Sequence, residues 1–120
     1  MTAIATLAMI QLDCEDPRGL AAFYHGVLGW EVTHSEEEYA MISDGSINLG
    51  FARVEGYKPP SWPQEDTKRY HFDLYVDDLD TAEAACRELG ATRAGFQPGA
   101  DRWRVLLDPA GQPFCVCIRS

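Results

Sequence analysis

The chain repeats itself, and the repeat limits its fold more than any other feature of the sequence. The stretch that begins at residue 9 returns at residue 71, at a constant offset of 62. Met9 falls on His71, Gln11 on Asp73 and Asp16 on Asp78. Two copies of one supersecondary unit must place the same elements twice. In the first copy Leu20, Phe23, Tyr24 and Val27 follow the spacing of one helix face. Their counterparts are Ala82, Ala85, Cys86 and Leu89. Asp16-Pro17 supplies an N-cap and a proline for the first helical position. Asp80, with Glu83 three residues on, reads as a capping-box start for the second helix. Both helices should stop at Leu-Gly, at Leu28-Gly29 and Leu89-Gly90, where glycine suits the left-handed residue after a helix.

Strands are expected on either side of each helix. After the first helix they are read at 30–34, 38–43 and 46–54, and after the second at 91–95, 102–107 and 113–119. The turns Ser43-Asp44-Gly45 and Asp108-Pro109-Ala110-Gly111 separate the last two strands of each half. The order is therefore β-α-β-β-β twice, an α+β fold in one domain. Module one spans about residues 4–54 and module two about 70–120, with a proline-rich linker at 55–69. Side by side, two tandem βαβββ modules are expected to form a curled mixed sheet with helices outside and a concavity within. A ferredoxin-like βαββαβ sheet is the competing fold. The duplicated Asp-Pro and Leu-Gly signals, and three strands after each helix, argue against it.

Bulk properties remove whole function classes. A length of 120 residues suits one domain with a real apolar core. The net charge of -9 would repel a phosphate backbone or an anionic lipid surface. Lys68-Arg69 and the pair Arg102 and Arg104 are too small a basic footprint for nucleic acid. No apolar run is long enough to cross a membrane. The N-terminal stretch lacks a basic flank and reads as a first strand rather than a signal peptide. Cysteines at 14, 86, 115 and 117 form no C-x-x-C pair, which favours reduced thiols and a cytoplasmic location.

Three segments carry a family resemblance: DCEDPRGLAAFYHGVLGWEV, YHFDLYVDDLDTAEAACRELGA and LLDPAGQPFCVC. With the duplicated order of elements, they resemble the vicinal-oxygen-chelate superfamily of glyoxalase and bleomycin-resistance proteins. More narrowly, with KPPSWP, the chain is similar to a glyoxalase-like branch common in actinobacteria. The resemblance covers essentially the whole chain. It implies a homodimer and, in the superfamily's enzymes, one divalent metal held by four side chains. One ligand comes from the first strand and one from the last strand of each half. Fold alone does not settle the reaction.

Carried over position by position, the resemblance places Met9 in the first slot, where a thioether is a poor ligand for a hard or borderline cation. Gln11, on the same strand face, would serve only in another register. The second slot falls within Ser46 to Arg53, which holds no His, Asp or Glu. The third is His71, which matches. The fourth is Cys115, where a glutamate is expected. One of four ligands is intact, so no cofactor is expected. The alternative is a divalent metal through His71, with zinc favoured if a thiolate joins it.

The candidate ligand-binding residues are Gln11, Phe51, Trp62, His71, Asp73 and Cys115. His71 shares a strand face with Asp73 and Tyr75, either as a ligand-binding or acid-base histidine or as a hydrogen-bonded core residue. Asp73 is read as facing the cavity beside Gln11. Cys115 and Cys117 share a face of the last strand, where a nucleophilic role for Cys115 competes with plain packing. Trp62, with Tyr57, is placed at the cavity mouth for a planar ligand or in loop packing. Phe51, Tyr39 and Trp103 line the concavity or pack the core. His25, His34 and the acidic run Ser35-Glu36-Glu37-Glu38 read as solvated surface.

These readings lead first to a small-molecule binder of the sequestration or resistance type without the usual metal. Its partner is a small, aromatic or mixed-polarity ligand. The alternatives are a metal-dependent lyase, isomerase or dioxygenase with substitute ligands, a metal-free histidine catalyst, and a module whose product is a dimer surface with Trp30 or Trp62 at the contact.

Overall fold

The structure is a computed structural model that describes residue 3 and residues 6–60 and 70–119. It divides into two compact units, residues 1–57 and 58–120.

The first unit runs β1 (Met9–Cys14), α1 (Pro17–Leu28), β2 (Glu31–Ser35), β3 (Tyr39–Ser43) and β4 (Asn48–Arg53). The second runs β5 (Phe72–Val76), α2 (Leu79–Glu88), β6 (Thr92–Arg93), β7 (Trp103–Leu107) and β8 (Pro113–Ile118). The α+β fold of two βαβββ modules is thus present, with the strands in two four-stranded mixed sheets. The first has the order β1-β4-β3-β2 and the second β5-β8-β7-β6. In each, the module's first strand pairs in parallel with its last, and the other pairings are antiparallel.

Helix α1 starts where its sequence says it should. Asp16 accepts a hydrogen bond from the Gly19 N–H at 3.2 Å, and Pro17 occupies the first turn. The helix ends at Gly29, whose φ of 73° permits its N–H to reach the His25 carbonyl at 2.8 Å. Its buried face is Leu20, Ala21, Phe23 and Tyr24. These side chains pack on Ala40, Ile42, Leu49 and Phe51, the residues of β3 and β4 that point to the helix side. Period-two alternation leaves Met9, Gln11, Tyr39, Met41 and Gly50 on the opposite side.

Helix α2 departs from expectation in two ways. Its N-cap is Asp78, which accepts from the Thr81 N–H at 2.8 Å, so Asp80 lies in the first turn instead of capping it. Its buried residues are Leu79, Glu83 and Cys86, while Leu89 stands 43% exposed. The face is rotated because Glu83 has cationic partners within reach. Arg104 lies at 3.1 Å, Arg93 at 3.3 Å and Arg87 at 3.4 Å, and Arg104 also meets Asp80 at 2.8 Å. A buried carboxylate is tolerated when it is so paired. Strand β6 is also shorter than expected. Beyond Arg93, the Gln97 side chain replaces a strand partner. Its Nε2 donates to the carbonyls of Ala94 and Val105 at 2.8 and 2.7 Å, and its Oε1 accepts from the Val105 N–H at 2.9 Å.

Candidate functional site

The second sheet brings together titratable and metal-ligating side chains. Residues i and i+2 of a strand share a face, so His71 and Asp73 project to the same side at the start of β5. The parallel register sets Asp73 opposite Cys115, and Val105 pairs with Cys115 from the other side. The next rung is Tyr75, Cys117 and Trp103. The opposite side of this sheet belongs to α2, against which Leu106, Phe114 and Val116 are buried.

The Asp-Pro-Ala-Gly turn helps to position His71. Asp108 is buried, and its Oδ1 accepts from the N–H groups of Ala110 and Gln112 at 2.8 and 3.0 Å. Gln112 in turn donates through Nε2 to the Tyr70 carbonyl at 2.7 Å. The turn before β8 thereby holds the residue next to His71.

His71 Nε2 lies 3.2 Å from Asp73 Oδ1, with the two side chains 36% and 66% exposed. Cys115 joins them: one ligand atom from each residue fits within a mutual separation of 4.8 Å. This is the group of metal-ligating side chains found among the described residues. Cys115 is only 6% exposed and belongs to a cluster with Ala94 and Val105, against which Leu107 and Cys117 pack. Burial, and then the Asp73 carboxylate, push the Cys117 thiol up from its ordinary pKa. Tyr75 is 65% exposed, with the Arg119 guanidinium 4.4 Å from its ring centroid. Trp103 is partly open, and the backbone of Gly99 rests on its indole.

Of the six expected site residues, three gather: His71, Asp73 and Cys115. Gln11 belongs to the first unit, where its Nε2 donates to Met9 Sδ at 3.0 Å. The Tyr39 hydroxyl reaches Met9 Sδ at 3.4 Å and Met41 Sδ at 3.6 Å. Phe51 lies on the helix side of β4, fully buried, with its ring stacked on Tyr24. It is a core residue and does not share a face with Gln11. Trp62 lies outside the described residues. Sequence reasoning missed Gln97, which bonds the backbones of Ala94 and Val105, and Gln112, whose partner is the distant Tyr70 carbonyl.

The four metal positions implied by the resemblance do not fit these residues. By register, Gly50 stands opposite Gln11 as Cys115 stands opposite Asp73. Gly50 offers no ligand atom, and a β-carbon there would lie 2.5 Å from Gln11 Oε1 and 2.8 Å from the Tyr39 hydroxyl oxygen. With Met9 in the other first-unit slot, that unit supplies thioether and amide groups in place of imidazole and carboxylate.

Two βαβββ modules, each with a parallel pairing of first and last strands, define a glyoxalase-like α+β protein. Residues 9–117 match the family model described as a glyoxalase-like domain, and the chain belongs to that family. Solved structures share the fold. A glyoxalase/bleomycin resistance protein/dioxygenase family enzyme from Burkholderia phytofirmans is 21% identical, over 95% of this chain and 98% of its own, with a TM-score of 0.69. A fosfomycin resistance protein from Listeria monocytogenes is 15% identical, over 98% and 96%, at 0.70. A bleomycin-binding protein from Streptomyces verticillus, solved with copper(II)-bleomycin, is 20% identical, over 99% and 100%, at 0.57. No curated protein matches the sequence. No helix among the described residues is long and apolar enough to cross a membrane.

Proposed function

We propose that this chain is a small-molecule-binding glyoxalase-like protein of the sequestration type, whose ligand rests on the His71–Asp73 face of the second sheet. It does not use the four-ligand metal arrangement implied by the resemblance. The observation that carries the reading is the His71–Asp73 pair itself. It is a histidine–carboxylate contact at 3.2 Å on a sheet face that also carries a 65% exposed tyrosine and a 37% exposed tryptophan. A carboxylate so placed accepts hydrogen bonds from a cationic or N–H group, and aromatic rings suit a planar body. The net charge of -9 also favours a ligand that is not anionic. The fosfomycin-resistance and bleomycin-binding neighbours agree with a drug-like ligand class at the level of fold.

A second reading is a metal-dependent lyase, isomerase or dioxygenase with substitute ligands. One observation favours it: the donor atoms of His71, Asp73 and Cys115 lie within 4.8 Å of one another. A cytoplasmic location and a homodimer belong to both readings.

The test is a screen of planar aromatic amines against tryptophan fluorescence. A saturable change is expected in the parent chain, with affinity lower by about tenfold or more in Asp73→Asn, the loss typical of one charge-assisted hydrogen bond. A ligand that binds Asp73→Asn and His71→Ala as tightly as the parent would place the site elsewhere.

A further inference from the structure

We infer that the His71–Asp73 face takes a planar aromatic zwitterion, with its ammonium group at Asp73 and its acid group at Arg119. The inference rests on reading this face as the binding site and names the class of ligand it takes. Every residue it uses lies in the second unit.

Placement supplies the first argument. Asp73 stands one rung before Tyr75 on β5, and residues i and i+2 of a strand lie about 6.6 Å apart. Tyr75, Cys117 and Trp103 pair across three strands, so their side chains share a face with Asp73. On β8 the order is Cys115 beside Asp73, then Cys117, then Arg119. The Arg119 guanidinium lies over the Tyr75 ring, 4.4 Å from its centroid. That contact fixes the cation on the same side of the sheet as the carboxylate. In strand order, an exposed carboxylate and an exposed guanidinium therefore flank one aromatic rung.

The chemistry of the three zones supplies the second. Neighbouring strands lie about 4.8 Å apart. A ring above Cys117 would stand at about that distance from Tyr75 and from Trp103, within the range of about 4.5–7 Å favoured by aromatic pairs. The Cys117 thiol, with its pKa raised, is neutral and adds no charge to the floor. The His71 contact engages one oxygen of Asp73, and a carboxylate keeps further lone pairs for an ammonium group. The fork of an arginine matches a carboxylate through two parallel hydrogen bonds. A plain acid would meet Arg119 but be opposed by Asp73 and by the net charge of -9. A plain amine would satisfy Asp73 and leave Arg119 facing a like charge. A zwitterion answers both ends and carries no net charge.

The experiment compares three probes built on one ring: para-(aminomethyl)benzoate, benzylamine and benzoate. Each is titrated into the isotope-labelled full chain. Nuclear magnetic resonance follows the backbone amides of Tyr75 and Cys117 and the indole N–H of Trp103. The bipolar probe should bind about tenfold or more tighter than either relative, the gain typical of one charge-assisted hydrogen bond. Arg119→Gln should cancel its advantage over benzylamine, and Arg119→Lys should keep part of it. Asp73→Asn should cancel its advantage over benzoate. Both side chains are exposed, so neither change opens the core. A bipolar probe no tighter than benzylamine, or an advantage that survives Arg119→Gln, overturns the inference. If benzylamine binding then still depends on Asp73, the acidic end falls and the binding face stands. If no probe moves the three signals, the inference and the reading of the face fall together.

Discussion

The ring of Phe51 lies flat against that of Tyr24, with centroids 5.9 Å apart and planes 5° from parallel. Both residues are fully buried, and Phe23 meets Tyr24 edge-on at 4.9 Å. The stack of Phe51 on Tyr24 joins β4 to α1. Truncation of Phe51 would remove the stacked ring and leave a cavity that the helix cannot easily fill. Phe51→Ala is expected to destabilise the protein by about 3–5 kcal/mol. Urea unfolding measures it, and a loss under about 1 kcal/mol would mean that the ring is not held in the core.

Glu83 is the meeting point of three arginines and carries the second prediction. Its side chain is 9% exposed and that of Arg104 15%, so this contact is shielded, whereas Arg87 and Arg93 are about half exposed. Glu83→Ala leaves Arg104 with Asp80 alone and should cost about 2–4 kcal/mol, somewhat below a fully orphaned buried charge. Arg87→Ala removes only a solvent-screened partner and should cost less than about 1 kcal/mol. Equal losses in the two variants would contradict this ranking.

Particular residues show how much of this was legible in the sequence. The repeat placed Asp16 on Asp78, and both are N-caps. The local Asp80-to-Glu83 signature pointed to a later start for α2. It failed because Glu83 is engaged by Arg93 and Arg104, on strands that follow the helix. Phe51 reads from sequence as lining the concavity or packing the core, and in a strand a step of one residue reverses the face. The alternation of Leu49 and Phe51 with Gly50 and Ala52 already held the right answer. His71 and Asp73 were readable as an i, i+2 pair. Their approach to Cys115 needed the strand register, which no single sequence prints.

Gly99 and Trp103 carry a prediction with an optical signal. A β-carbon at Gly99 would collide with the Trp103 indole and lie 2.5 Å from the Trp103 carbonyl oxygen. Because that second neighbour is backbone, it cannot swing aside as a long side chain would. Gly99→Ala should destabilise the protein by about 1–3 kcal/mol. It should also shift the emission of Trp103, read against Trp103→Phe as the blank. Unchanged stability and emission would show that the loop does not rest on the ring.

Acid sensitivity follows from two carboxylates held by the backbone. The Thr81 side chain, and then its N–H, hold Asp78 below the ordinary aspartate value of 3.8. The N–H groups of Ile47 and Ser46 do the same for Asp44 in the turn between β3 and β4. Both shifts are downward, so the unfolded chain binds these protons more readily than the folded one. The stability they contribute is fully present above pH 3.8 and is lost as pH falls through the lower folded values. Asparagine at each position keeps an oxygen acceptor but does not titrate. The double variant Asp44→Asn with Asp78→Asn should therefore lose less stability than the parent on going from neutral pH to below 3.8. Urea midpoints across that range give the comparison. Parallel curves for the two proteins would show that these carboxylates do not drive acid unfolding, while a flatter curve for the double variant assigns that share of it to the α2 cap and the β3–β4 turn.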